Sequence, residues 1–143
     1  QGGEVGGWSF YAKDGKLKYC FNFFGIDYYI IESETAIPSG KHQLRVEFKY
    51  DGGGLAKGGD VTLYYDGKQV GKGRVEKTIP MGYSADEACD VGSDSGSPAS
   101  TDYGATGNKF NGVINWVQIE VGEDDNNHLV TAEDKVNMAM AKQ

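Results

Sequence analysis

The segment from Lys41 to Gly71 restricts the fold of this chain more than any other. His42-Gln43-Leu44-Arg45-Val46-Glu47-Phe48-Lys49-Tyr50 alternates apolar and polar residues, which puts Leu44, Val46, Phe48 and Tyr50 on one face of a pleat and Gln43, Arg45, Glu47 and Lys49 on the other. That is the pattern of a half-buried antiparallel strand. After a Gly-rich crossing comes Val61-Thr62-Leu63-Tyr64-Tyr65-Asp66-Gly67-Lys68-Gln69-Val70-Gly71. Its Asp66-Gly67 pair suits a type I′ hairpin turn, in which both central residues take positive φ. Two such signals in succession predict an all-β antiparallel β-sandwich.

The flanking sequence supplies further strands. Gly7 to Ala12 and Lys16 to Phe24 read as a hairpin closed by Lys13-Asp14-Gly15, and Asp27 to Glu32 as a short third strand. Lys72 to Ile79 extends the second arm of the Asp66-Gly67 hairpin, and Phe110 to Val121 reads as a returning strand with Val113, Val117, Ile119 and Val121 on one face. Between them, 82–107 is a long acidic loop rich in Ser, Asp, Gly, Ala and Thr, and loops of that length in compact domains usually carry an interaction. Thr131 to Lys142 has the composition of a short C-terminal helix, with Thr131 as N-cap and Glu133 and Asp134 in its first turn. Glycine at 22 of 143 residues, with 3 Pro, favours strands and tight turns. The whole of 1–143 reads as a single β-sandwich domain, and the Gln1-Gly2-Gly3 opening without Met reads as a piece of a longer chain.

Charge is divided unevenly. Met81 to Asp134 holds eleven acidic residues against Lys109 alone, whereas residues 1–80 hold ten acidic and eleven basic ones. The acidic half repels phosphate, which argues against nucleic acid and anionic membrane as partners. No apolar run reaches the roughly 18 residues of a membrane helix. Cys20 and Cys89 form neither a CxxC pair nor a zinc pattern, and their spacing neither demands nor forbids a disulfide.

Catalytic constellations are missing from the string. His42 and His128 accompany no Ser or Cys elbow, and no G-x-S-x-G, P-loop or H-E-x-x-H occurs. The paired carboxylates of a β-sandwich glycosidase are also absent, since the nearest string, Glu123 to His128, ends on the wrong residue. Glu123 to Asp134 approximates a degraded EF-hand loop, with Asp125, Asn127 and Asp134 as candidate Ca²⁺ ligands, but His128 stands where the sharp turn needs Gly. Helix capping accounts for the same residues. Asp86, Glu87 and Asp90 in the acidic loop are candidates for contact with a partner domain. Trp8 and Tyr103 are candidates for stacking on a sugar ring, set against a packing role for most aromatics in strands.

Leu63 to Gly71 together with Phe110 to Ile119 resembles the hairpin and last strand of concanavalin A-like and laminin G-like jelly-roll sandwiches. Gly6-Gly7-Trp8-Ser9-Phe10-Tyr11, Tyr19 to Gly25, Asp51 to Gly59, and Ser84 to Gly92 with Ser97-Pro98 and Asp102-Tyr103 are similar to the C-terminal domain of long bacterial arylsulfatases, over essentially the whole chain. The resemblance implies a non-catalytic accessory domain that packs on a sulfatase catalytic domain, in a periplasmic or secreted parent. Sulfatases carry their nucleophile in a C/S-x-P-x-R string, and neither Cys20 nor Cys89 lies in one. The other reading is a carbohydrate-binding module that takes a glycan.

Overall fold

In a computed structural model of the chain, residues 1–80, 82–83 and 89–122 are described. Seven strands form two antiparallel sheets. The first contains β1 (Gly2–Gly3), β2 (Gly6–Lys13), β3 (Lys16–Phe23) and β4 (Asp27–Ala36), in that order; the second contains β5 (Leu44–Tyr50), β6 (Gly59–Tyr65) and β7 (Lys68–Val75). The architecture is the all-β antiparallel sandwich that the alternation requires. Neighbours within each sheet are also neighbours in sequence, so the described strands make two meanders. The helix expected over 131–142 lies outside the described residues.

Local chemistry explains the turns. Asp14 and Gly15 close β2–β3 with φ of 53° and 73°, and Asp66 and Gly67 close β6–β7 with φ of 45° and 78°, both with the positive angles of a type I′ turn. Asp66 does more than turn the chain: its Oδ1 accepts Gln43 N–H at 2.8 Å and its Oδ2 lies 2.9 Å from His42 Nδ1. The clamp lies just beyond the ladder, where the Asp66 N–H also bonds the Gln43 carbonyl at 2.9 Å, and β5 begins at Leu44 and not at His42. On β4 the opposite happens. Lys16 Nζ donates to the carbonyls of Ser33 and Glu34 at 2.9 Å each, and the strand runs on to Ala36.

Inward-facing side chains of the two sheets build one core from Leu17, Tyr19, Phe21, Ile31, Val61, Leu63, Val70 and Val75. Each such apolar side chain contributes roughly 1.5–3 kcal/mol when fully buried. The sheets approach most closely where β4 lies over β7. A Cβ on Gly71 would stand 2.8 Å from Glu32 O and one on Gly73 only 2.5 Å from Ile31 Cγ1. Glycine is required there for its size, since neither residue has positive φ.

Phe110 to Val121, expected as a strand, pairs with neither sheet. The segment carries no ladder, and Val113, Val117, Ile119 and Val121, expected on one face of that strand, are all exposed. Alternation makes a segment suited to a sheet, but a strand exists only where an edge accepts its backbone, and among the described residues none does.

Two glycine substitutions should separate the forces at work. Gly67→Val meets no atom within 4 Å, so its cost is conformational, about 1–2 kcal/mol for a β-branched residue at positive φ. Gly73→Val must displace Ile31 or part the sheets, and should lower the urea midpoint further. Equal losses would mean that β7 does not press on β4.

Candidate functional site

The outer face of the first sheet is polar and is covered by the acidic loop. Register places Ser9 opposite Cys20 and Tyr11 opposite Lys18 on β2–β3, with Lys18 opposite Glu32 on β4, so all of these side chains point away from the core. The loop descends on them. Tyr11 donates its hydroxyl to Asp102 Oδ2 at 2.9 Å and lies 3.1 Å from Ser100 Oγ. Lys18 Nζ reaches Asp102 Oδ2 at 2.8 Å and Glu32 Oε2 at 3.0 Å, while Lys13 Nζ sits 3.6 Å from Asp102 Oδ1 and donates to the Asp102 carbonyl. Eight residues away, Asp94 Oδ2 accepts the Tyr103 hydroxyl at 2.6 Å and the Ala99 N–H at 3.0 Å. Ala99 and Ser100 are buried as completely as core residues.

Electrostatics fix the protonation states. Lys18 holds the Asp102 carboxyl below the ordinary carboxylate range, and Asp102 in turn holds the Lys18 ammonium above its usual value. Burial pushes the Tyr11 and Tyr103 phenols up, and it pushes the Cys20 thiol up to about 11. Cys20 is therefore a buried thiol whose Sγ faces the Ala99 carbonyl at 3.8 Å, and both cysteines are free. These groups are committed to one another, and their chemistry is adhesion of the loop to the sheet.

The candidates Trp8, Asp90 and Tyr103 lie among the described residues. Tyr103 bonds to Asp94, lies 2.7 Å from Ser9 Oγ and meets the Tyr11 ring edge-on at 5.0 Å between centroids. Trp8 stacks on Tyr19 and packs against the core. Both rings are half-buried. Asp90 is exposed and caps its own loop, accepting from Ser95 N–H at 2.7 Å and Ser95 Oγ at 2.6 Å. Asp86 and Glu87 lie outside the described residues, as do the Ca²⁺ candidates Asp125, Asn127 and Asp134. Among the described residues no three His, Cys, Asp or Glu side chains are grouped to hold a metal ion. His42 has a carboxylate partner, Asp66, which raises its pKa; its Nε2 lies 3.3 Å from the Ser39 carbonyl and 3.0 Å from the Tyr65 hydroxyl.

A second region is open to solvent. Residues 109–122 leave the loop at the Phe110 N–H to Gly92 carbonyl bond of 2.7 Å and continue fully exposed. Trp116 is 61 % exposed, Val113 84 % and Val121 93 %. With Val91, Lys109, Ile114 and Asn115, Phe110 and Trp116 border an open cleft of about 490 Å³. Sequence reasoning put Val113, Val117, Ile119 and Val121 on one face of a strand, and it singled out neither this surface nor Trp116. It also missed Asp94, Asp102 and Lys18. The signal for the last three was the charge division itself, because an acidic half and a half holding Lys13, Lys16 and Lys18 are complementary within one chain. No family model, curated protein or solved structure matches the chain.

The Asp102 clamp has a testable pH dependence. A carboxyl with a depressed folded-state pKa adds stability above its unfolded value, and that stability disappears as pH falls through the folded value. Asp102→Asn, which leaves Lys18 with Glu32 alone, should cost about 1–3 kcal/mol at pH 7. In urea titrations the gap between variant and parent should close in acid. A gap of constant size down to the most acidic pH at which the chain still folds would show that Asp102 does not act through its charge.

Proposed function

We propose that this chain is a non-catalytic accessory domain, similar to the C-terminal domain of bacterial arylsulfatases, that docks on a sulfatase catalytic domain through the exposed face of residues 109–122. The observation that supports this reading is the contiguous run Val113, Ile114, Trp116, Val117, Ile119 and Val121, every member exposed. Contiguous apolar surface on a folded domain marks an interaction site, and each of these side chains gains roughly 1.5–3 kcal/mol when another surface covers it. The acidic loop then has a supporting role. Asp94 and Asp102 fasten it to the first sheet, and Phe110 leaves that fastened loop to present the apolar run.

A carbohydrate-binding module is the second reading, and Trp116 is the observation that favours it. Its ring is exposed, with Lys109 and Asn115 at the same cleft to bond hydroxyls. Sugar platforms combine a ring with several polar groups, whereas Trp116 stands among Val113, Val117 and Ile119. That balance places docking first.

One experiment addresses both. Added in trans to an arylsulfatase lacking its C-terminal domain, the chain should raise the thermal midpoint or the activity of the truncated enzyme, and Val117→Asp with Ile119→Asp should abolish the effect. A glycan array should remain blank. Saturable glycan binding lost in Trp116→Ala, with no effect on the truncated enzyme, would replace docking with sugar recognition.

A further inference from the structure

The second sheet ends on an edge strand that lacks the usual protections. β5 pairs with β6 over seven consecutive positions, from Leu44 opposite Tyr65 to Tyr50 opposite Gly59, with no bulge. It contains no proline, and its charges, Arg45, Glu47 and Lys49, all lie on the outer face. The opposite backbone edge of β5 has no hydrogen-bond partner among the described residues. Beneath it the inner face is only partly covered: Leu44, Val46 and Tyr50 are half-buried and Phe48 is 38 % exposed. By contrast β7 pairs through a bulge, and β4 is pressed against β7. A regular open edge with an apolar underside is a template for strand addition.

We propose that β5 pairs antiparallel with β5 of a second copy of this chain, about a two-fold axis through Val46, joining two three-stranded sheets into one of six strands. Charge and apolar pairing together decide the register, because a two-fold pairing must keep inner faces together and so can move only in steps that preserve side-chain parity. An axis at Glu47 sets Glu47 against itself and Arg45 against Lys49. An axis at Val46 sets Arg45 against Glu47 twice and Leu44 against Phe48 twice, pairing opposite charges outside and apolar groups inside. An axis at Phe48 would set Glu47 against Lys49 twice, but it would face Arg45 with Asp51, which is already engaged by Arg74, with Nη2–Oδ2 at 2.5 Å and Nη1–Oδ1 at 3.2 Å. It would also set Leu44 against Gly52. Within each strand Arg45 already bonds Glu47, lies 3.9 Å over the Tyr64 ring and shares that face with the Tyr64 hydroxyl, which donates to Glu47 at 2.8 Å. Two such clusters meeting at the axis would form one alternating network of four charges. This pairing does not depend on the docking role of residues 109–122.

Sedimentation velocity across micromolar to submillimolar concentrations provides the test, with far-UV circular dichroism to verify folding. The parent chain should show a monomer–dimer equilibrium. Arg45→Glu and Glu47→Arg, both at exposed positions, should each weaken self-association by roughly tenfold or more, since two opposite-charge crossings become like-charge ones. An equimolar mixture of the two variants should associate again, and the double variant Arg45→Glu/Glu47→Arg should dimerise as the parent does. Hydrogen exchange at Leu44 to Tyr50 should slow as concentration rises. A parent that stays monomeric throughout overturns the proposal, as do single variants that dimerise unchanged. A double variant that stays monomeric overturns the Val46 register, because only that axis restores both crossings. Slow, concentration-independent exchange at the β5 amides that do not bond β6 would assign the edge to another segment and also overturn it.

Discussion

The two sheets are held at their closest spacing where β7 carries no side chains. Gly71 and Gly73 let β4 settle so near that a single methyl on either would overlap Glu32 O or Ile31. Ile31 fills the space that Gly73 leaves and joins Leu63 and Val75 in the core. Because the contact lies at the β7 edge, burial decreases across the second sheet. Val61 and Leu63 on β6 are fully buried, while the inner residues of β5, farthest from the contact, are half covered. The open underside of β5 follows from where the glycines fall.

The outer face of the first sheet is organised by charge. Lys18 is a largely buried cation, acceptable there because Asp102 and Glu32 both reach it, and Asp102 in turn is supplied by a loop some eighty residues further along. Asp94 repeats the device with Tyr103 and the Ala99 N–H, and Asn108 ties the loop to itself by bonding Asp94 N–H, the Asp94 carbonyl and the Gly104 carbonyl. Within one chain, Asp102 of the acidic second half pairs with Lys13 and Lys18 of the first. The acids that a surface reading assigns to solvent or to a partner therefore divide into two kinds: Asp94 and Asp102 face inward, and Asp90 remains outside.

Unused hydrogen-bonding and apolar capacity concentrates in two places, the β5 edge and residues 109–122. Both expose apolar groups that cost free energy in water. Elsewhere the described residues are economical: no buried side-chain polar atom lacks a partner, and fully buried Asn22 bonds the Gly3 and Glu4 carbonyls and the Gly25 N–H to hold two turns at once.

Period-two alternation and Asp-Gly turns depend only on near neighbours, so β2, β3, β5, β6 and their hairpins could be read directly from the sequence. Their apolar faces followed, because side-chain direction in a strand is set by position alone. Residues whose roles depend on distant partners could not be read that way. Phe110 to Val121 has the pattern of a strand, yet whether it becomes one depends on an edge elsewhere in the fold. Lys18, Tyr11, Asp94 and Asp102 look like ordinary surface residues until the acidic loop folds over the first sheet. The sequence by itself determined which segments extend and where they turn. Only tertiary structure decided which edges were filled, which charges met and which apolar groups stayed in water, because those outcomes depend on contacts between residues up to about a hundred positions apart.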